Sequence, residues 1–379
     1  MMSKFDSIRP FYDSEVNEGI CSVIHHPMMK ALMNFTFPET EESVWVDQLK
    51  KTHSIRDFQV NFIYQSVQKV LERSSEGLTT SGYEKLEKHT PYLFISNHRD
   101  IILDTSLLNV SLYDHGLVMT ASAIGDNLVK KDFLLKLSKL NRNFLVQRGL
   151  PPRELLQSSK LMAEYIAQLL LRENRSVWIA QREGRTKDGN DSTHQGVLKM
   201  LAMGSDEDRV MHYFKKIKIV PVSISYEYDP TDALKMPQLM AEANNEKYIK
   251  EKNEDFITLL SGIMGQKKRI HIHVGNILDK ELDWIESEFD NTNKQIQALA
   301  QTIDDSILST YKLWPTNFIA YDLLYKTNRF INHYTENEKS LFERRLEMKI
   351  DANNQAMVES FLAMYANPVV NKMKYEPAL

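Results

Sequence analysis

The chain has 379 residues, enough for one large domain or two modest ones, and its 42% hydrophobic content supports a substantial buried core. A formal net charge of −4 excludes the bulk positive charge of a nucleic-acid-binding protein, so any anion site is local. The single cysteine, Cys21, excludes an intrachain disulfide framework and a multi-cysteine zinc cluster, and fits a reducing cytoplasm.

The opening residues lack the apolar core of a signal peptide, so the mature chain is expected to begin near Met1. Residues 15–76 carry helical periodicity interrupted by Pro27 and Pro38, with 57–71 strongly amphipathic. Beyond Ser81 the pattern changes. Short apolar runs at 92–96, 117–121, 143–147, 176–180, 217–225 and 269–274 alternate with helical stretches at 104–111, 126–140, 153–172, 195–204 and 236–264. That alternation predicts an α/β fold, a mostly parallel mixed sheet covered by helices. A helix is expected over 291–313, followed by an aromatic segment and a charged helical tail over 336–366. The expected division is an N-terminal helical region (1–80), a catalytic domain (81–313), and the aromatic segment with its helical C-terminal tail (314–379).

No apolar run reaches the roughly 18 to 20 residues that span a bilayer. Membrane contact is therefore expected to be peripheral, with 27–35 and 314–325 as the two candidate surfaces, and core packing is the favoured use of both. The expected location is the cytoplasm, with the inner face of a membrane as the second site.

The run Tyr92-Leu93-Phe94-Ile95-Ser96 reads as a buried strand that opens directly into Asn97-His98-Arg99-Asp100 and, further on, Asp104. In open α/β sheets the carboxyl edge of the strands is where ligands bind. An imidazole there can take a proton from an alcohol near neutral pH, and a nearby carboxylate would fix its tautomer and stabilise the imidazolium. His98 and Asp104 are the natural pair. A continuous helix would put residues six apart on nearly opposite faces, so contact requires His98 to sit on a turn before the helix begins. Asp100 is the rival partner.

At these residues the chain resembles the glycerophosphate acyltransferase superfamily, whose first motif is a strand followed by histidine and, after four intervening residues, an aspartate. Here five residues, 99 to 103, separate the two. Phe144-Leu145-Val146-Gln147-Arg148 resembles the second motif, which makes Arg148 a candidate phosphate ligand. The planar guanidinium fork suits that task because it gives two charge-assisted hydrogen bonds to one phosphate. Ser176-Val177-Trp178-Ile179-Ala180 runs into a polar loop whose Arg182-Glu183-Gly184-Arg185-Thr186-Lys187 resembles the third motif. Gly184 lets the backbone approach a ligand, while Arg182, Arg185 and Lys187 concentrate positive charge where a glycerol phosphate docks. Arg185 leads that set, and Glu183 is expected to organise it by holding an arginine or the acceptor hydroxyls. Val220-Pro221 and the following Ser223-Ile224-Ser225-Tyr226 resemble the fourth motif, in a form closer to glycerol-3-phosphate acyltransferases than to lysophosphatidate acyltransferases.

The resemblance spans residues 97–227 and implies O-acyl transfer from acyl-CoA or an acyl carrier protein to glycerol-3-phosphate or 1-acylglycerol-3-phosphate in phospholipid synthesis. It implies His98 as general base with Asp104 beside it, no metal and no cofactor beyond the acyl donor. Oxyanion donors are expected near Asn97 and the Gly184 loop. No Gly-x-Ser-x-Gly elbow occurs, and Cys21 lies in the N-terminal segment, so a covalent intermediate is not expected. His25-His26 and the alternating His271 and His273 lack evident further ligands for a metal. Two other readings compete: a noncatalytic lipid- or phosphate-binding protein on the same scaffold, and an acyltransferase for another lipid acceptor.

Overall fold

The computed structural model describes residues 3–377 and 379. The N-terminal layer consists of α1 (Asp13–Val23), α2 (Pro27–Thr36), α3 (Glu42–Lys50), α4 (Ile55–Phe58), a π-helical turn (Gln59–Ile63) and α5 (Tyr64–Ser74). The sheet then builds as β1 (Ser75–Ser81), β2 (Leu93–Ser96), α6 (Leu103–Asp114), β3 (Thr120–Gly125), α7 (Asp132–Leu140), β4 (Asn143–Val146), α8 (Pro152–Leu171) and β5 (Ser176–Ala180). It continues through α9 (Gln195–Ala202), α10 (Val210–Lys216), β6 (Ile219–Tyr226), α11 (Asp232–Ala243), α12 (Glu254–Met264) and β7 (Lys268–Val274). Helices α13 (Asp279–Glu288), α14 (Thr292–Thr310), α15 (Pro315–Tyr325), α16 (Glu336–Lys349) and α17 (Gln355–Lys372) complete the chain.

The seven strands lie in the order β1-β7-β6-β2-β5-β3-β4. From β6 to β4 every neighbour is parallel, β7 runs antiparallel to β6, and β1 is parallel to β7. The sheet is therefore mixed but mostly parallel. Its central strands read as continuous apolar runs because both faces are covered. Leu93, Ile95, Val177, Ile179 and Ile219 pack on one face against α8, α9, α10 and α14, while Phe94, Trp178, Val220, Val222 and Ile224 pack on the other against α5 and α6. Burying each such side chain is worth about 1.5–3 kcal/mol. Pro221 is accommodated inside β6 because its carbonyl already faces Gly275, just past the end of β7, so the missing N–H breaks no rung with β2.

Three sequence expectations are corrected. β1 was not foreseen: Ser-Glu-Gly-Leu-Thr-Thr-Ser has no apolar alternation, because an edge strand buries little, and Gly77 (φ 111°) forms a bulge at its start. The strand expected at 117–121 is shifted to Thr120–Gly125. The 236–264 helix is two helices, α11 and α12, divided at Asn245 and Asn253, both left-handed (φ 58° and 67°). In the two candidate membrane surfaces core packing takes the large side chains: Met29 and Met33 lie in the core between the N-terminal helices, and Trp314, Phe318 and Ile319, at the start of and within α15, are buried.

Candidate active site

The parallel strands β6, β2, β5, β3 and β4 all point their carboxyl ends at one edge of the sheet. β2 ends there at Ser96, and Asn97 prolongs the ladder with its side chain. Its amide oxygen accepts from Ile224 N (2.8 Å) and its amide nitrogen donates to Ile224 O (2.9 Å). The Asn97 amide is thereby spent inside the fold. The chain then leaves the sheet plane and turns through residues 98–102 before α6 begins.

On that turn His98 Nδ1 meets Asp104 Oδ2 at 2.8 Å. Asp104 is fully buried and saturated: the same oxygen accepts from Arg99 N (2.6 Å) and Asp100 N (3.0 Å), and the other accepts from the Tyr226 hydroxyl (2.8 Å). Four donors converge on one carboxylate, so Asp104 acts as an anion and His98 Nδ1 as the protonated nitrogen. The Tyr226 phenol is driven far above its ordinary pKa by burial and by the Asp104 charge, so it remains a donor. Nε2 of His98 is left with its lone pair, and among the described residues nothing hydrogen-bonds to it. The ring stands edge-on to Trp178, centroids 5.3 Å apart, and keeps 14% of its side-chain surface exposed. Trp178 is itself held by its indole N–H on Ser96 Oγ (2.9 Å).

Asp100 has another task. Its Oδ1 accepts from Ile102 N (3.0 Å) and Leu103 N (2.8 Å), capping the start of α6. Burial, reinforced by the Asp104 charge, raises its pKa.

The loop after β5 is fastened to this turn. Thr186 N donates to His98 O (2.9 Å), and Asp191 collects the Arg99 guanidinium through two bonds (3.1 and 2.6 Å), the Thr186 hydroxyl (2.7 Å) and the Asn97 amide (3.3 Å). Arg99 is buried; desolvation opposes its charge, but Asp191 reverses this and keeps it cationic. Because Thr186 bonds the His98 carbonyl, its neighbours Arg185 and Lys187 stand beside the histidine turn. Arg185 Nη1 donates to Thr231 Oγ1 (3.1 Å), past the end of β6. Lys187 is pushed down to about 8 by burial and by the positive charges of Arg185 and Lys235. Arg182 is half-buried, with Nε buried and unpartnered. Gly184 (φ 74°) has the left-handed backbone that lets the loop reverse between these cations. At the outer end, Arg148, beyond β4, forms an ion pair with the largely exposed Glu183. Arg148 and Glu183 thus pair at the loop's rim, while Arg185 and Lys187 sit with Lys235, which is buried against Asp229.

Sequence reasoning passed over Asp191, Arg99, Thr186, Tyr226 and Lys235. Tyr226 closes the fourth motif, and Asp191 is an acid at the end of a cationic loop; those were the available signals. The remaining polar clusters are structural. His26 Nδ1 caps α2 through Met28 N (3.2 Å) and stacks on Phe133. His271 and His273 share the Ser81 hydroxyl (2.9 and 2.8 Å). Cys21 is exposed on α1, in the N-terminal layer.

Residues 77–225 match the family model described as Acyltransferase, a span that includes His98, Asp104, Arg148 and the whole 182–187 loop. No curated protein matches the chain. A solved structure that matches is the 1-acyl-sn-glycerophosphate (LPA) acyltransferase PlsC from Thermotoga maritima, at 12% sequence identity and a TM-score of 0.39, covering 78% of this chain and 91% of that one. The segment from β1 to the end of β6, with its histidine turn and cationic loop at one sheet edge, is an acyltransferase domain.

Proposed function

We propose that the chain transfers a fatty acyl group from a thioester, carried by CoA or an acyl carrier protein, to a hydroxyl of a glycerol phosphate. The observation that carries this reading is the bond from Thr186 N to His98 O. It ties a proton acceptor and a phosphate-sized cluster of cations into one rigid unit.

The acceptor phosphate is held by Arg185 and Lys187, with Arg182 as the third cation and Arg148 positioned through Glu183. Its hydroxyl lies against His98 Nε2. As the oxygen attacks the thioester carbonyl, Nε2 takes the hydroxyl proton, and Asp104 stabilises the resulting imidazolium. The tetrahedral intermediate collapses with cleavage of the C–S bond. The departing thiolate takes the proton back from Nε2, so the histidine ends neutral and the products are an ester and a free thiol. This sequence needs no covalent enzyme intermediate and no cofactor other than the donor.

The acceptor is glycerol-3-phosphate or its 1-acyl product, the setting is phospholipid synthesis, and the protein works in the cytoplasm at the face of a membrane. Among the described residues no helix is long and apolar enough to cross one. The test is a comparison of glycerol-3-phosphate with glycerol as acceptor. Arg185→Ala is expected to raise KM for the phosphorylated acceptor at least tenfold and leave the weak glycerol reaction unchanged. Equal losses with both acceptors would contradict the phosphate assignment.

A further inference from the structure

Helix α12 carries an apolar stripe on its outward face as well as on the face that meets the protein. A helix on a protein surface normally directs its large apolar side chains at the core. In α12 the two fully buried residues are small, Thr258 (4% exposed) and Gly262, while Phe256, Leu259 and Ile263 are half-buried beside them and Ile263 packs on the core. The large apolar residues Ile257, Leu260 and Met264 form one stripe at helical spacing and are 51%, 42% and 59% exposed, and Ile249, in the segment before the helix, is 79% exposed.

The orientation is enforced by the active site. Gly262 packs so closely on Asp100 that a methyl group there would lie 2.1 Å from Asp100 Oδ2. Rolling α12 to bury Leu260 would drive a larger side chain into the carboxylate that caps the catalytic turn. The helix start is also fixed, by Asn127 Nδ2 on Asp255 (3.3 Å) and by Lys131, whose ammonium lies 4.5 Å over the Phe256 ring. The apolar stripe is therefore a built feature at the rim of the edge that holds His98.

We propose that the α12 stripe is a membrane-docking surface that inserts into the interfacial region of a phospholipid bilayer and brings the His98 edge against it. A protein partner is the poorer fit. Four side chains on one helix and its lead-in expose a few hundred Å², against about 800 Å² per partner in a stable protein interface. Insertion into lipid needs apolar area and no complementary shape. Lys131 and Lys252, both exposed at the N-terminal end of the stripe, can reach headgroup phosphates while the stripe lies deeper.

The test is flotation of the full chain with phosphatidylcholine vesicles and with phosphatidylcholine–phosphatidylglycerol vesicles, in the absence of substrates, so that it does not depend on the proposed reaction. The Ile257→Asp/Leu260→Asp/Met264→Asp variant is expected to lose at least tenfold in partition coefficient on both vesicles, with an unchanged circular dichroism spectrum and melting temperature. Trp284→Ser, which removes another exposed apolar residue on α13, should bind like the native chain. Equal partitioning of the triple variant and the native chain would overturn the proposal. So would a native chain that ignores both vesicles but dimerises in sedimentation through the same residues. If the triple variant unfolds, Leu260→Asp alone must show at least a threefold loss, and no loss overturns the proposal.

Discussion

At the residue scale, the site rests on one carboxylate with four donors. Replacing Asp104 with Asn removes the charge that stabilises the imidazolium and places an amide against three donors. Acyl transfer should fall by about 100- to 10,000-fold while KM for the acceptor changes little. Tyr226→Phe removes only one donor, leaving a buried carboxylate oxygen short of a partner. It should cost about 1–3 kcal/mol in urea unfolding, and the resulting looser His98 should lower kcat by about tenfold. Lys187 gives a pH signature. Its pKa is depressed to about 8, so it is charged below that pH and neutral above it. The kcat/KM for a phosphorylated acceptor should therefore decline as pH rises through about 8, and Lys187→Met should remove that limb while lowering the plateau. A native profile flat from pH 7 to 9 would exclude Lys187 from the phosphate site. His98, Arg148, Arg182, Arg185 and Lys187 could be singled out in the sequence because each lies just past a short apolar run. The choice between Asp104 and Asp100 could not be made there, since it depends on a turn of five residues that no periodicity encodes. The three-dimensional arrangement gives Asp104 to the imidazole and Asp100 to the helix cap.

At the element scale, the loop after β5 is held to the turn after β2 chiefly by Asp191. Asp191→Ala would leave the Arg99 guanidinium buried without its counter-charge, at a cost of about 3–5 kcal/mol. The loop should then detach from His98, so that thermal unfolding shifts downward and limited proteolysis cuts between residues 182 and 191. Asp191→Ala with native stability and native protease resistance would show that the fastening is incidental. Gly189 adds a second constraint, because a Cβ there would sit 2.2 Å from the Met364 carbonyl of α17. The loop is thus wedged between the histidine turn and the C-terminal helix, a contact between residues 175 positions apart that no local pattern predicts. β2, β5 and β6 were readable as strands because both their faces are buried, which makes apolar runs unbroken. β1 was not, because an edge strand with mixed burial leaves no such run. The sequence of α12 reads as an ordinary core helix. The outward placing of Ile257, Leu260 and Met264 comes from the close approach of Gly262 to Asp100, a tertiary contact.

At the scale of the whole molecule, every cationic candidate and the histidine converge on one edge because five consecutive neighbours in the sheet are parallel. The alternation of short apolar runs with helical stretches carried that architecture, and the order of the motifs along it carried the acyltransferase domain. The antiparallel direction of β7 and the packing of the C-terminal helices behind the loop had no comparable signal. The account as a whole stands on His98 as the group that moves the acceptor's proton. The measurement that tests this most directly is thiol release from palmitoyl-CoA with glycerol-3-phosphate, with lysophosphatidate and with no acceptor, for the native chain and for His98→Ala. The native chain should release thiol only with one of the two acceptors, and His98→Ala, with an unchanged melting temperature, should retain less than about one hundredth of that rate. Equal acceptor-dependent release by both proteins would contradict the role of His98.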